Sequence, residues 1–530
     1  MANVPGISVY KQVGASPIPG PGGQERARVV IVGAGPVGLA MALDLGRRGH
    51  PVIVLNRLDF VAHASKAICF SKRSLDILDR LGVGDRAVAK GVTWNVGKVF
   101  WGGDPEPIYQ FDMLAVKGQK RPGFINIQQY YIEEYLHDAI GALPNVEIRW
   151  GHRVDDVDPL EGGIKLAITA SGGSYGVTAE WLIACDGARS TVREKLGLDF
   201  EGRVFEDNFL IADIRMKHEM PAERWFWFDP PFNPGKSALM HKQPDEVWRL
   251  DFQLGWQIDR EAAIRPENVE PFIRAMLRPD IEFEREWYSV YTFQCRRMAR
   301  FVHGRTIFAG DAAHLVSPFG ARGCNGGLAD IDNLGWKLDL VLAGLAGEDL
   351  LESYNDEAVA TANENILNST RSTDFLTPKS TASRALRDSV LELARDHAFA
   401  RPFVNSGRLS TAVSYPASRL NTPDRDVWQG GVAPGSPMLD ASLGDGWLLD
   451  ALGGDFVLLA QSWRGAVPAG LRLVEIGKGD ATAIERLGLE PGAAYLIRPD
   501  QYVAARWKAA DPEAAASALR RAKGEAPWQH

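Results

Sequence analysis

The segment Gly33-Ala34-Gly35-Pro36-Val37-Gly38 constrains this chain most, because it stands between an apolar stretch, Val29 to Val32, and a helix-like run, Pro36 to about Arg48. A second apolar stretch, Pro51 to Leu55, follows and ends at Asn56. Strand, glycine turn, helix and second strand in this order open an α/β sheet. The first glycine makes the tight turn, the second lets a pyrophosphate approach backbone N–H groups at the helix N-terminus, and the third lets helix and strand pack closely. A dinucleotide site is therefore expected. Where such sites usually carry an acidic residue for the ribose, this chain has Asn56, which can hydrogen-bond but bears no charge.

One such unit does not fill the chain. At 530 residues it is about twice the size at which single cores stop growing, so three or four domains are expected. Lys plus Arg number 59 against 67 Asp plus Glu, a net charge of −8, which argues against nucleic acid as a partner. Cys69, Cys185, Cys295 and Cys324 lie far apart with no CxxC pair, so neither a disulfide scaffold nor a metal site is expected, and a reducing, cytoplasmic home fits best. The apolar run Val29 to Leu43 is too short to span a bilayer and is broken by its glycines, so no membrane segment is expected.

Residues 1–25 are rich in Pro and Gly, with Pro17, Pro19, Gly20, Pro21, Gly22 and Gly23, and read as an extended or disordered arm. From 205 to 300 the texture changes to short alternating aromatic-rich strands: Arg224 to Phe228, Ser237 to Lys242, Val247 to Trp256 and Ser289 to Cys295. These predict an inserted, mostly antiparallel sheet. The strand Thr306 to Ala309 returns the chain to α/β architecture, and a Gly-rich loop leads into a helix with apolar positions from Leu328 to Leu345. Residues 406–438, with Pro416, Pro423, Pro434 and Pro437, read as a linker. Beyond it the strands Phe456 to Ala460, Leu471 to Glu475 and Ala494 to Ile497 predict a small α/β unit over 439–530.

Two further segments carry chemistry. Cys185-Asp186-Gly187-Ala188-Arg189-Ser190 follows the strand Trp181 to Ala184, and taken alone an Asp-Gly there is a turn. The other runs from Gly310-Asp311-Ala312-Ala313-His314 through Pro318-Phe319-Gly320-Ala321-Arg322-Gly323-Cys324-Asn325-Gly326-Gly327, a loop built to bring backbone N–H groups against a ligand. With the first fingerprint, in this order and at these separations, they resemble the group A flavoprotein aromatic hydroxylases over most of Val29 to Leu345. The long carboxy-terminal extension makes the chain similar to the phenol hydroxylase and 3-(3-hydroxyphenyl)propanoate hydroxylase branch of the p-hydroxybenzoate hydroxylase fold.

That resemblance implies an α/β fold, α+β overall. It consists of an FAD-binding Rossmann-like domain (26–204 and 301–405), an inserted mostly antiparallel substrate sheet (205–300) and a thioredoxin-like carboxy-terminal domain (439–530) without redox activity, since no Cys lies beyond Cys324. It implies bound FAD, transient NADH or NADPH, O₂ and a small aromatic substrate, and leaves a homodimer open. Gly33, Gly35, Pro36 and Gly38 would hold the pyrophosphate, with Asn56 or Arg57 by the ribose. Lys66, in Ser65-Lys66-Ala67-Ile68, takes the place of a frequent family arginine, and Gln129 matches a cofactor-contacting glutamine. Asp186 and Gly187 match the family's Asp-Gly motif, Gly310 and Asp311 would hold the ribityl chain, and Pro318, Gly320, Gly323, Cys324 and Asn325 would line the isoalloxazine. A helix after Asn325 would aim its N-terminal dipole at the negative charge of reduced flavin.

The reaction so implied is hydride transfer to FAD, formation of a flavin C4a-hydroperoxide and its attack on an activated phenol, in a site kept dry by the inserted sheet. The expected catalytic residues are His241, Arg249, Asp251, Tyr291 and Pro318, with His241 as first candidate for the base. Alternation puts Trp248, Leu250, Phe252, Leu254 and Trp256 on one face and Arg249, Asp251 and Gln253 on the other, which also describes an ordinary half-buried strand with a solvated polar side. Tyr291 and Phe293 share a face and fit a ring pocket or a core; Trp225 and Trp227 fit aromatic walls or packing. Arg249, Lys242 and His241 together suggest a phenolic acid as substrate. Alternatives are a flavin-dependent halogenase, suggested by Trp225-Phe226-Trp227-Phe228-Asp229-Pro230, a non-catalytic FAD- or NAD-binding module, and an NAD-dependent dehydrogenase, which leaves the second and third segments without purpose.

Overall fold

The computed structural model describes residues 9–19, 25–63, 66–112, 117–404 and 409–525. The continuous apolar run of the strand Glu25–Val32 is what a parallel strand covered on both faces requires, and Val29, Val30 and Ile31 are fully buried. It lies between Val52–Asn56 and Gly173–Ala184, with Val146–Trp150 beyond the former, all parallel. Gly173–Ala184 is three times the length read from sequence, Trp181 to Ala184. Its first half carries the antiparallel strands Gly163–Ala170 and Arg153–Leu160, and its last three residues pair in parallel with Thr306–Phe308. The helix Pro36–Arg47 has Gly35 as N-cap and Pro36 in its first turn, where a missing N–H costs nothing, and packs against the helices Gln129–Ile140 and Gly323–Leu342.

The second sheet has eight strands in the order His314–Leu315, Glu284–Met298, Phe200–Arg215, Val247–Gly255, Ser237–Lys242, Arg224–Phe228, Val96–Trp101 and Tyr109–Asp112. It thus reaches outside 205–300 at both ends, and its one parallel pairing, Arg224–Phe228 with Val96–Trp101, brings in a strand over a hundred residues away in sequence. One face, with Trp225, Trp227, Met240, Trp248, Leu250 and Phe252, closes over Val269 and Ile273 of the helix Pro266–Met276. Trp225 and Trp227 are therefore packing residues on the far side of the sheet, not walls of a ring pocket. The other face, with Phe209, Ile211, Leu239 and Phe293, packs on Phe319 and on Leu376 and Leu391 of two long helices. The polar residues of Val247–Gly255 lie on this second face and are not solvated: Arg249 and Gln253 are buried.

The amino-terminal arm is more ordered than its composition suggests. Val9–Gln12 forms a strand antiparallel to Phe60–Ala62, and Tyr10 stacks on Tyr130 at 4.2 Å; residues 1–8 and 20–24 lie outside the described residues. The carboxy-terminal unit is a four-stranded sheet, Arg472–Glu475, Val457–Ala460, Ala494–Ile497 and Val503–Trp507, with the first pair parallel and the others antiparallel, flanked by the helices Ala481–Leu487 and Pro512–Ala522. The strand Val503–Trp507 was not anticipated. The described part of the 406–438 segment, from 409, is packed rather than loose: Leu420 is fully buried and the Tyr502 hydroxyl donates to the Val413 carbonyl at 2.8 Å.

A buried charged seam joins this unit to the helices Gly323–Leu342 and Leu350–Leu376. Lys337 donates to Glu357 at 2.8 Å, Arg498 donates to Glu357 at 2.7 Å and to Asp500, and Trp336 Nε1 donates to Asp500 at 3.1 Å. Among the described residues no helix is long and apolar enough to cross a membrane.

Candidate active site

Three loops meet at the carboxyl ends of adjacent parallel strands, where open α/β sheets bind their ligands. Gly33 has φ +106°, and a Cβ there would overlap the Cys185 backbone and stand 3.0 Å from Asp186 Cα, so the first two segments touch main chain to main chain. A Cβ at Gly38 would overlap the Gly33 carbonyl oxygen, whereas one at Gly35 would meet nothing within 4 Å. The tight turn, the open approach and the close packing expected of the three glycines are thus each in place. Asn56 Oδ1 accepts from the Ala34 N–H at 3.2 Å and Asn56 Nδ2 donates to the Leu58 carbonyl at 3.2 Å, so this side chain braces the turn; Arg57 beside it is exposed.

Asp186 Oδ2 accepts from the Val192 N–H at 3.2 Å, while its Oδ1 is buried with no partner. Burial pushes this carboxyl above its ordinary range. Gly187, at φ +84°, borders open space. In the third segment the Gly310 N–H donates to Asp330 Oδ2 at 2.9 Å, and His314 Nε2 meets the same oxygen at 2.7 Å. Asp330 belongs to the helix Gly323–Leu342, so that helix fixes the loop that precedes it. Asp311 is exposed yet crowded by protein, and this crowding raises its carboxyl while Lys66 and His314 oppose the rise.

Gly320 and Ala321, at φ +90° and +53°, turn the chain after exposed Pro318 into that helix, which begins at Gly323. Asn325 therefore lies in its first turn, not ahead of it. Its side chain is consumed by protein: Oδ1 accepts from the Ser71 N–H at 2.9 Å and from the Ser74 hydroxyl, and Nδ2 donates to the Cys69 carbonyl at 2.9 Å and to that of Ala321. The Asn325 carboxamide is a staple, and the first turn offers a cofactor its backbone N–H groups, which have no partner within the helix. Cys324 is half-buried beside it, its thiol pushed up by burial and by Asp311 and Glu133.

Gln129 Oε1 accepts from the Ala67 N–H at 3.1 Å, and its Nε2 donates to Glu133 at 2.7 Å. Lys66 is exposed; Ser65 lies outside the described residues. Glu133, one helical turn beyond Gln129, was missed in the sequence. Burial pushes its carboxyl up to about 7, with Gln129 and Lys66 opposing.

The inner face of the second sheet carries a row of residues in register across four strands, Arg224, His241, Arg249 and Asp213. Arg249 holds Asp213 with both prongs of its fork, Nε and Nη2, each at 2.8 Å, and reaches the Lys66 carbonyl at 3.3 Å. Its charge is thus matched by Asp213 inside the sheet. Lys242 points to the opposite face, 5.8 Å from the Trp248 ring centre. The expected trio of Arg249, Lys242 and His241 around a carboxylate is therefore not formed. His241 is buried, with Nε2 3.5 Å from Asp251 and Nδ1 unpartnered, and burial lowers its imidazole to about 4. Tyr291 is half-buried near Trp287, its hydroxyl raised by burial; Phe293 stacks on Phe209 at 4.8 Å and meets Phe319 at 5.1 Å, beneath the Pro318 loop.

The residues fit FAD: an open approach at Gly35, an orphaned carboxylate oxygen at Asp186 and the N-terminus of the helix Gly323–Leu342 belong to three loops that follow adjacent strands, and Phe319 of the third packs on the inner face of the aromatic sheet. This is the arrangement of a flavin-binding protein. Residues 26–369 match the FAD binding domain family, and the chain belongs to it. A probable NADH-specific resorcinol 4-hydroxylase of Rhodococcus jostii (strain RHA1) is 29% identical over 88% of this chain and 84% of its own length. A 12-dehydrotetracycline 5-monooxygenase/anhydrotetracycline 6-monooxygenase of Streptomyces rimosus is 30% identical over 93% and 97%. Among solved structures, the flavin-dependent monooxygenase PieE in complex with FAD and substrate matches 95% of this chain and 100% of its own with a TM-score of 0.81 at 23% identity, a likeness of fold. The chain is a flavin-dependent monooxygenase.

Proposed function

We propose that this enzyme hydroxylates a small phenolic ring with NAD(P)H and O₂, the ring lying between the Pro318–Gly323 loop and the polar row of the second sheet. His241 carries the proposal. With the proton on the Nε2 that faces Asp251, the lone pair of Nδ1 is left to accept a hydrogen bond, and an imidazole lowered to about 4 is neutral throughout the ordinary working range. A phenolic O–H donating to Nδ1 gains electron density in its ring, which is what oxygen insertion requires. Bound FAD supplies hydride acceptance from the nicotinamide and activation of O₂. Gly33, Gly35, Gly38 and the Asp186-Gly187 loop would hold its diphosphate half, Asp311 its ribityl chain, and the first turn at Gly323 the far end of its ring. Phe209, Phe293 and Phe319 exclude water from the sheet side. The four cysteines are all free, which supports a reducing, cytoplasmic setting.

The test is an absorption spectrum of the purified protein, then NAD(P)H oxidation with resorcinol, hydroxyphenylpropionates and simple phenols. Flavin bands, phenol-stimulated oxidation and a hydroxylated product are expected. His241→Asn is expected to lower product formation about 10²-fold while NAD(P)H oxidation continues, with hydrogen peroxide released instead. A protein that takes up no FAD, or an H241N variant that couples like wild type, defeats the proposal.

A further inference from the structure

We infer that Arg224 is the substrate-binding residue for an anionic oxygen, so that the preferred substrate is a phenolic ring bearing an acidic group; this rests on the reading of the site as an aromatic hydroxylase. Arg224 opens the strand Arg224–Phe228 directly opposite His241, and so stands on the inner face at the end of the polar row. Along that row Arg249 and Asp213 neutralise each other at 2.8 Å, and His241 is uncharged. Among the described residues two charges on this face are left without a charged partner: Arg224, and Asp251, whose Oδ2 faces neutral His241 at 3.5 Å and whose Oδ1 is buried with no partner. Arg224 Nη1 is buried with no partner, and among the described residues no hydrogen bond or ion pair reaches the guanidinium. Glu223, the adjacent carboxylate, is turned to the outer face, where it pairs with Lys98 at 2.7 Å and accepts from Trp225 Nε1 at 2.7 Å.

The surroundings raise the cost of leaving this cation unpaired. Its guanidinium lies 6.0 Å from the Trp94 ring centre, its charge is felt by buried Cys69, and Gly97, its neighbour on the next strand, is covered by the Phe111 ring. A half-buried guanidinium beside an aromatic ring with one buried nitrogen unsatisfied suits an anion, and its planar fork suits a carboxylate in particular. Side chains directly opposite on paired strands start about 5 Å apart. A phenol on His241 and an acid on Arg224 therefore belong to one ring or to a ring and a short side chain. The shared chemistry is an anionic oxygen, which a carboxylate or an ionised acidic phenol can present.

FAD-loaded wild type, Arg224→Met and Arg224→Lys are titrated by the change in flavin absorbance with resorcinol, with its ring-carboxylated analogue β-resorcylate, and with an acidic nitrophenol. Wild type is expected to prefer β-resorcylate. R224M is expected to weaken it about tenfold or more while weakening resorcinol within about threefold, with R224K recovering part of the loss and FAD content equal in all three. Nitrophenol following β-resorcylate makes the site one for any anionic oxygen; nitrophenol following resorcinol restricts it to carboxylates. Equal loss for resorcinol and β-resorcylate, or loss of neither, overturns the role of Arg224 while leaving a hydroxylase that still turns over phenols. Wild type that binds none of the three ligands overturns the hydroxylase reading and this inference with it.

Discussion

Replacing Gly38 by Ala tests the assignment of the first segment. The added methyl would overlap the Gly33 carbonyl oxygen and stand 3.1 Å from the carbonyl carbon and 3.3 Å from Cys185 Cβ. The obstructing atoms are mainly backbone, so no side chain can swing away, and helix and turn must separate. Overpacking of this kind costs about 1–3 kcal/mol, and the better helix propensity of Ala returns up to about 1 kcal/mol. A net loss of about 1–2 kcal/mol in the geometry that receives the diphosphate corresponds to roughly a 5- to 30-fold weaker hold on FAD. Gly35→Ala is the control, because its methyl meets no protein atom within 4 Å and intrudes only on the approach to the helix N-terminus. Thermal unfolding of FAD-free protein and flavin fluorescence titration separate the two: G38A is expected to lose both stability and FAD affinity, G35A FAD affinity alone. G38A matching wild type in both assays, or G35A as unstable as G38A, refutes the argument.

Two further outcomes follow from buried charge. Burial raises Glu133 from 4.5 to about 7; the folded state holds its proton more tightly than the unfolded state, so the burden is absent below about pH 4.5 and complete above about pH 7, where it amounts to about 3 kcal/mol. Glu133→Gln, compared with wild type by denaturant unfolding of FAD-free protein, is expected to gain stability as pH rises through that window; a difference that does not change with pH counts against the carboxylate as its source. Glu357→Gln leaves Lys337 and Arg498, both fully buried, without their shared partner, and is expected to cost about 3–5 kcal/mol, with Lys337→Met in the same chain recovering part of it. An E357Q protein with an unchanged unfolding midpoint would show that the seam carries little of the stability.

The parts of this molecule written in local spacing were legible from sequence, and those made by distant pairing were not. The glycine fingerprint encodes its own backbone geometry, so the turn at Gly33, the open approach at Gly35 and the packing at Gly38 could all be placed. Alternation divided Arg224–Phe228 and Val247–Gly255 into two faces, but parity does not say which face meets the cofactor loop, so it left Trp225 and Trp227 open between ring walls and packing, and the structure makes them packing. Arg249 looked available because Asp213, which neutralises it, lies on another strand, 36 residues away in sequence. Val96–Trp101 and Tyr109–Asp112 joined the second sheet through a pairing no local signal announces. Glu133 was within reach: it stands four residues after Gln129 on the same helix face, the spacing at which side chains meet.

The seam between the carboxy-terminal sheet and the flavin-side helices bears on the order in which this long chain assembles. Lys337 and Glu357 come from two consecutive helices, and Arg498 and Asp500 from a single turn. Each side reaches the encounter already carrying one positive and one negative charge, so neither half of the polypeptide, while it waits on the ribosome or in a partly folded state, must bury a net charge. The docking step then removes water from two internally balanced pairs instead of two bare ions, a far lower barrier. A late-synthesised extension can in this way lock onto a cofactor-binding body that has already formed.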